Sequence, residues 1–168
     1  PGNDHPAIML ALSASFVLRS AAGERAVPAD GFFVGTFDTV MKPDEIMTEI
    51  RIPVPAPGTG ACYAKLKRKV GDFATAAAAV ALRMKGDTVQ DVAIALTNVG
   101  PTPLKARAAE DSLRGKALTD ASIAAAAGLA MGICDPAEDQ RGSAEYKTAM
   151  AGEMTQRALR TARSRAGH

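Results

Sequence analysis

The sequence predicts an α+β fold, and three observations carry that prediction. Residues 13–19 and 45–52 alternate side chains with the period of two that marks a half-buried strand. Between residues 62 and 96, three further strand-like segments are joined by short turns and read as an antiparallel meander. After residue 103 the pattern changes to helical segments at 104–113, 120–131 and 143–163. Strands followed by a run of helices suit an antiparallel sheet with helices packed on it.

The elements follow in order. Residues 6–12 read as a short helix with Pro6 in its first turn, where a missing N–H costs nothing, and with Asp4 as the cap. Residues 13–19 and 24–27, separated by a turn at 20–23, form a hairpin. Residues 30–35 are expected to make a short helical turn that buries Phe32 and Phe33. In the next strand Ile46, Thr48, Ile50 and Ile52 share one face, while Met47, Glu49 and Arg51 share the other. Residues 53–60 hold three prolines and two glycines, the best linker in the chain, and divide it into units at 1–53 and 60–168.

The second unit opens with a strand ending near Lys67 and a loop in which Lys65, Lys67, Arg68 and Lys69 crowd together. Gly71-Asp72 turns the chain into a strand at 75–84 whose first half is almost all alanine. Small side chains there let another element approach the backbone, and the cations beside it can hold an anion or an electron-rich group. Spacing alone favours a simpler reading, a solvated hairpin with a basic tip. A turn at 85–87 and a strand at 89–96 complete the meander. Thr102-Pro103 opens the first of the three helices, and Thr119 or Asp120 caps the second. In the third, Tyr146, Met150, Met154 and Ala158 recur every fourth residue, a stripe expected to face the core.

Composition narrows the function. The chain has 168 residues, 47% hydrophobic and 23% charged, a globular profile with room for one domain or two small ones. Only 4% of residues are aromatic, so the core must rely on close packing of alanines. A net charge of +2, concentrated near residues 65–69 and at Arg157, Arg160, Arg163 and Arg165, argues against nucleic acid as a partner. Cys62 and Cys134 lack CxxC partners, which excludes a zinc ribbon or a cysteine-ligated iron–sulfur cluster and fits reduced, cytosolic thiols. Cys134 is expected to pack at a helix end. No apolar run is long enough to span a membrane and no signal peptide is visible. The start at Pro1, without methionine, suggests a truncated or processed chain.

Catalytic constellations are missing. His5 and His168 have no metal-ligand spacing, and His5 reads as a turn residue. GxSxG, HExxH and P-loop motifs are absent. Asp135, Glu138, Asp139 and Arg141 read as a solvated loop. Any activity must therefore come through a bound cofactor or a partner.

Five segments in order, NDHPAIMLAL (3–12), EIMTEIRIP (45–53), YAKLKRKVGDFA (63–74), NVGPTPLKA (98–106) and GSAEYK (142–147), resemble the medium, FAD-binding subunit of the molybdenum hydroxylases, of the carbon monoxide dehydrogenase and xanthine dehydrogenase type. The resemblance covers essentially the whole chain and matches the later part of that subunit. It implies the end of a PCMH-type FAD-binding domain (1–53), then a C-terminal domain with a three-stranded antiparallel sheet and helices (60–168). The two glycine-rich loops that cradle the FAD pyrophosphate in the family are absent, so the chain is expected to be a fragment. Residue by residue, Asp4 matches a polar position near the ribityl chain and Lys65 a lysine near the flavin ring. The loop 68–73, with Asp72 and Phe73, matches a mobile segment beside the isoalloxazine, where Phe73 could cover the ring.

The resemblance also implies partners and place. A large subunit would carry the molybdenum cofactor and a small one two [2Fe–2S] clusters, in a heterotrimeric complex that dimerises. Electrons would pass from the clusters through FAD to an acceptor. The complex would be cytoplasmic, with association to the inner face of the membrane open. A non-enzymatic scaffold that docks partner subunits is the alternative, and a nucleic-acid binder using the basic loop is a third reading, with only Tyr63 and Phe73 nearby for stacking.

Overall fold

The computed structural model describes residues 2–166. Helix α1 (Asp4–Ala11) opens the chain. Its cap is Asn3 rather than Asp4: Asn3 is extended and its side chain accepts the His5 N–H, which leaves Asp4 free to turn elsewhere. His5 therefore sits in the first turn of the helix and not in a preceding turn.

Strands β1 (Ser15–Ser20), β2 (Gly23–Pro28) and β5 (Ile46–Arg51) form an antiparallel sheet in the order β2-β1-β5, with a bulge at Val17/Leu18. Between them lies a small hairpin, β3 (Phe33–Gly35) and β4 (Asp38–Thr39). A single turn at 30–32 replaces the expected helical turn, and the chain then enters β3. Phe32 is buried, whereas Phe33 is only partly so, and both pack with Phe16, the Phe16–Phe32 centroids being 4.4 Å apart. On β5 the isoleucine face is open, with Ile46 70% and Ile50 51% exposed, while Met47 on the other face packs into the core.

After the extended stretch at 52–56 comes an antiparallel sheet of β6 (Thr59–Leu66), β7 (Ala76–Lys85), β8 (Thr88–Thr97) and β9 (Leu104–Lys105). The expected three-strand meander is present, with β9 added on its edge. Residues 104–105 were expected to begin a helix. They pair instead with Ala95 and Leu96, and Ala106 N–H bonds to the Ile94 carbonyl, so the free edge of β8 takes them first. Glu110, only 2% exposed, accepts the Ile94 N–H at 2.9 Å and pairs with Lys105 and Arg114.

Helices α2 (Arg107–Leu113), α3 (Asp120–Met131) and α4 (Ala144–Ala166) cover one face of this sheet. Thr119 caps α3 in a reciprocal box with Ser122. Along β7, Ala76, Ala78, Val80 and Leu82 face these helices, while Ala79 joins Ala95 and Tyr63 in a second core beneath α1. The alanines thus let helices close on both faces of the sheet. Met154 and Ala158 of the α4 stripe are buried and Met150 packs against the core, but Tyr146 is 45% exposed. The stripe enters the core only after its first residue. Cys62 and Cys134 are both free thiols. Burial pushes the Cys134 thiol up to about 11, as suits its packed place beyond the end of α3.

Candidate functional site

The site is assembled from three segments that meet at one end of the sheet. Side chains alternate along β6, so Cys62, Ala64 and Leu66 join the helical core while Tyr63 and Lys65 point to the α1 side. There they meet Asp4. Tyr63 donates its hydroxyl proton to Asp4 Oδ1 at 2.7 Å, and Lys65 Nζ donates to Asp4 Oδ2 at 2.8 Å. Tyr63 also lies 3.3 Å from Thr97 Oγ1. Partial burial opposes ionisation of Asp4, yet the bonds from Lys65 and Tyr63 together hold its carboxyl below the usual range. Burial, reinforced by the Asp4 carboxylate, pushes the Tyr63 phenol up, so it stays a donor.

The basic loop supplies the second wall. Gly71, at φ 79°, takes the left-handed conformation that turns the chain back. Asp72 follows, nearly buried, and accepts three bonds: Arg141 Nη2 at 2.7 Å, Phe73 N–H at 2.8 Å and Arg68 Nε at 3.1 Å. The Arg141 bond, with Arg68 behind it, brings the Asp72 carboxyl down to about 2. Phe73 is 60% exposed, with the Arg141 guanidinium carbon 5.8 Å from its ring centroid.

A cleft of about 350 Å³ lies between these walls, and Asp4, His5, Lys65, Asp72 and Phe73 all line it. The four residues singled out from the sequence are thus brought together. Lys67 and Lys69 are exposed and do not line the cleft, in keeping with a solvated basic tip. Two residues that position the site were not chosen from the sequence. Tyr63 carried a usable signal, since it stands two positions before Lys65 on one strand. Arg141 carried none: it was expected in a solvated loop, but its side chain is only 22% exposed and it pairs with Asp72 from 69 positions away.

The cleft's donor set can be tested against a flavin nucleotide. A carboxylate, an ammonium and a largely exposed aromatic ring suit its hydroxylated chain and ring. No glycine-rich nest for a pyrophosphate occurs in the sequence, so the residues present fit one end of such a group. Among the described residues no cluster of three or more His, Cys, Asp or Glu could hold a metal ion, and no helix is long and apolar enough to cross a membrane.

Comparison with known proteins decides the family. The model of the CO dehydrogenase flavoprotein C-terminal domain matches residues 61–162. The chain belongs to this family. Residues 1–55 match a second model, the FAD binding domain in molybdopterin dehydrogenase. Within the CO dehydrogenase flavoprotein family, the chain is 55% identical to the carbon monoxide dehydrogenase medium chain of Hydrogenophaga pseudoflava, covering 98% of this chain and 58% of that one. It is 34% identical to caffeine dehydrogenase subunit beta of a Pseudomonas species, covering 100% of this chain and 57% of the relative. The solved carbon monoxide dehydrogenase from Hydrogenophaga pseudoflava, in a form lacking the Mo-pyranopterin moiety of the molybdenum cofactor, superimposes with a TM-score of 0.97 at 57% identity, over 98% of this chain and 57% of that chain. The chain therefore spans about 58% of the length of the carbon monoxide dehydrogenase medium chain it matches.

Proposed function

We propose that this chain is the later part of the FAD-binding subunit of a molybdenum hydroxylase of the carbon monoxide dehydrogenase type, and that the cleft at Asp4, Lys65, Asp72 and Phe73 faces the flavin. The observation that carries the reading is the convergence of those four side chains, from three separate segments, on one cleft. When bound, FAD supplies the junction between one-electron carriers and an electron acceptor. The chain's own residues would prepare its surroundings. Asp4, held ionised by Lys65 and Tyr63, keeps acceptor lone pairs for sugar hydroxyls. Lys65 brings a cation whose charge Asp4 balances. The exposed part of the Phe73 ring would cover the flavin ring and keep water from it.

In this reading the partners are a large molybdenum-cofactor subunit and a small subunit with two [2Fe–2S] clusters, in a dimerised cytoplasmic complex. Residues 1–53 complete the FAD-binding domain, and residues 60–168 form a domain of their own. The substrate is chosen on the molybdenum subunit, which agrees with relatives named for carbon monoxide and for caffeine aligning along the whole of this chain.

The test uses the native enzyme complex. A stoichiometric flavin spectrum is expected, altered in band position by Asp4→Asn and by Phe73→Ala, with molybdenum reduction by substrate unchanged. An enzyme without flavin would favour the scaffold reading. A flavin spectrum indifferent to both substitutions would remove the cleft from the site.

A further inference from the structure

We propose that Arg141 is a positioning residue, a latch that ties the loop carrying Phe73 to α4 and so sets how that ring is presented to the cleft. The inference rests on the flavin-facing reading of the cleft and adds to it the element that holds the loop wall carrying Phe73.

Three contacts make the latch. Arg141 Nη2 donates to Asp72 Oδ1 at 2.7 Å. The same oxygen accepts the Phe73 N–H at 2.8 Å, so the guanidinium and the backbone of Phe73 are held to one atom. The guanidinium carbon stands 5.8 Å from the Phe73 ring centroid, which ties the side chain as well. Arg68 bonds the other Asp72 oxygen at 3.1 Å, but it belongs to the loop, is half exposed, and moves with it. Among the described residues, Arg141 alone reaches Asp72 from outside the loop.

The other end of the latch is anchored. Arg141 N–H donates to Asp139 Oδ1 at 2.7 Å, and Asp139 and Gly142 bond each other's backbone in a tight turn. Asp139 is paired at 2.9 Å with Lys147, a residue 2% exposed in the first turn of α4, whose Nζ also donates to the Ala137 carbonyl at 2.7 Å. A buried ammonium is costly unless paired, so Lys147 holds Asp139 in place. Arg141 Nε is buried without a partner. Leaving that donor unpaired costs stability, which a freely solvated arginine would avoid by turning to water. The side chain instead keeps the pose that serves Asp72 and Phe73. The run Phe73–Asp72–Arg141–Asp139–Lys147 thus connects the cleft to the first turn of the long helix. It carries two carboxylates between flanking cations, and both carboxyls are held below their usual range, Asp72 by Arg141 and Asp139 by Lys147.

Hydrogen–deuterium exchange of the native complex, read on peptides covering residues 67–75, tests the latch without reference to activity. Arg141→Met should speed exchange there on the order of tenfold, the loss expected for one charge-assisted bond. Arg157→Met, which cuts only an exposed pair with Glu153, should not. Asp72→Asn should match Arg141→Met, and the double variant should be no faster than either. Two independent structural effects would instead multiply. Arg141→Lys should rescue part of the protection. If Arg141→Met loosens the whole chain, Asp72→Asn, which keeps the shape of the loop, decides in the same way. Exchange at 67–75 unchanged in Arg141→Met and Asp72→Asn, or multiplied in the double variant, overturns the latch. Local loosening with an unaltered flavin circular dichroism spectrum keeps the latch and overturns the flavin-facing reading beneath it.

Discussion

Lys65 Nζ stands 2.8 Å from Asp4 Oδ2, joining the end of β6 to the first turn of α1 across 61 positions of sequence. The lysine side chain is 18% exposed and the aspartate 36%. A lysine read alone promises a positive charge beside the cleft. The pair delivers a dipole, with Tyr63 holding the carboxylate from its other oxygen. Removing the lysine therefore exposes an anion rather than simply deleting a cation.

That difference sets the first prediction. In the assembled enzyme, Lys65→Met should lower the midpoint potential of the bound flavin, because the carboxylate of Asp4 then disfavours electron uptake nearby. A partly buried charge is worth about 1–2 kcal/mol, and about 30 mV corresponds to 1.4 kcal/mol for a two-electron couple, so the shift should be on the order of 20–40 mV. Asp4→Asn combined with Lys65→Met should bring the potential back toward the wild type. Lys67→Met, at an exposed position, should leave it unchanged. Redox titration of the four proteins checks this; a potential that ignores Lys65→Met removes the pair from the flavin's surroundings.

Local pattern was enough for some elements and could not serve for others. Helix α3 and its Thr119 cap are legible because propensity and capping chemistry lie within a few residues. The alternation on β5 identified which side chains share a face, but burial of a face depends on what packs against it, and there the isoleucines are open and Met47 is inside. β9 depends on the unpaired edge of β8, and the role of Asn3 depends on Asp4 being drawn to Tyr63 and Lys65. In the site, family resemblance points to Asp4, Lys65, Asp72 and Phe73. Arg141 was missed because nothing near it in sequence signals a partner 69 positions away.

The extended linker should be the first point of proteolytic attack. Residues 53–57 are exposed and outside regular structure, whereas 63–66 and 76–85 sit in paired strands. Elastase should cut within the exposed stretch 53–57 before it cuts within 63–96, giving two fragments readable by mass spectrometry. Early cleavage inside the sheet, with the linker protected, would count against two units at 1–53 and 60–168.

Gly60 should tolerate no side chain. A Cβ there would run into the Ala162 carbonyl oxygen and stand 2.6 Å from Ala166 N, both backbone atoms of α4. The helix crosses β6 at this point, and it cannot shift without opening the core formed by Leu159, Ala162 and Leu82. Gly60→Ala should cost roughly 1–3 kcal/mol, the usual range for overpacking, and lower the urea midpoint at an unchanged slope. Gly115→Ala serves as the comparison: nothing lies within 4 Å of its Cβ, and only the positive φ of 73° opposes it. A loss at Gly60 no larger than at Gly115 would mean that α4 gives way to the added methyl and that this contact does not limit the position.

The Asp72 carboxyl offers a titration that reports Arg141 directly. Arg141, then Arg68 and the Phe73 N–H, favour the ionised form and lower its value from the ordinary 3.8 to about 2. A depressed carboxyl stabilises the folded chain above its unfolded value. That contribution fades as pH falls from near 3.8 through about 2, and it is constant across neutral pH. The carboxyl carbon of Asp72, followed by NMR in the complete subunit, should therefore titrate near 2 in the wild type. Arg141→Met removes the largest cause of the shift, so the midpoint should move up toward the ordinary carboxylate range. Arg68→Met should move it less, because that bond is longer and half exposed. A wild-type midpoint near 3.8 would mean that the Arg141–Asp72 bond is open in solution.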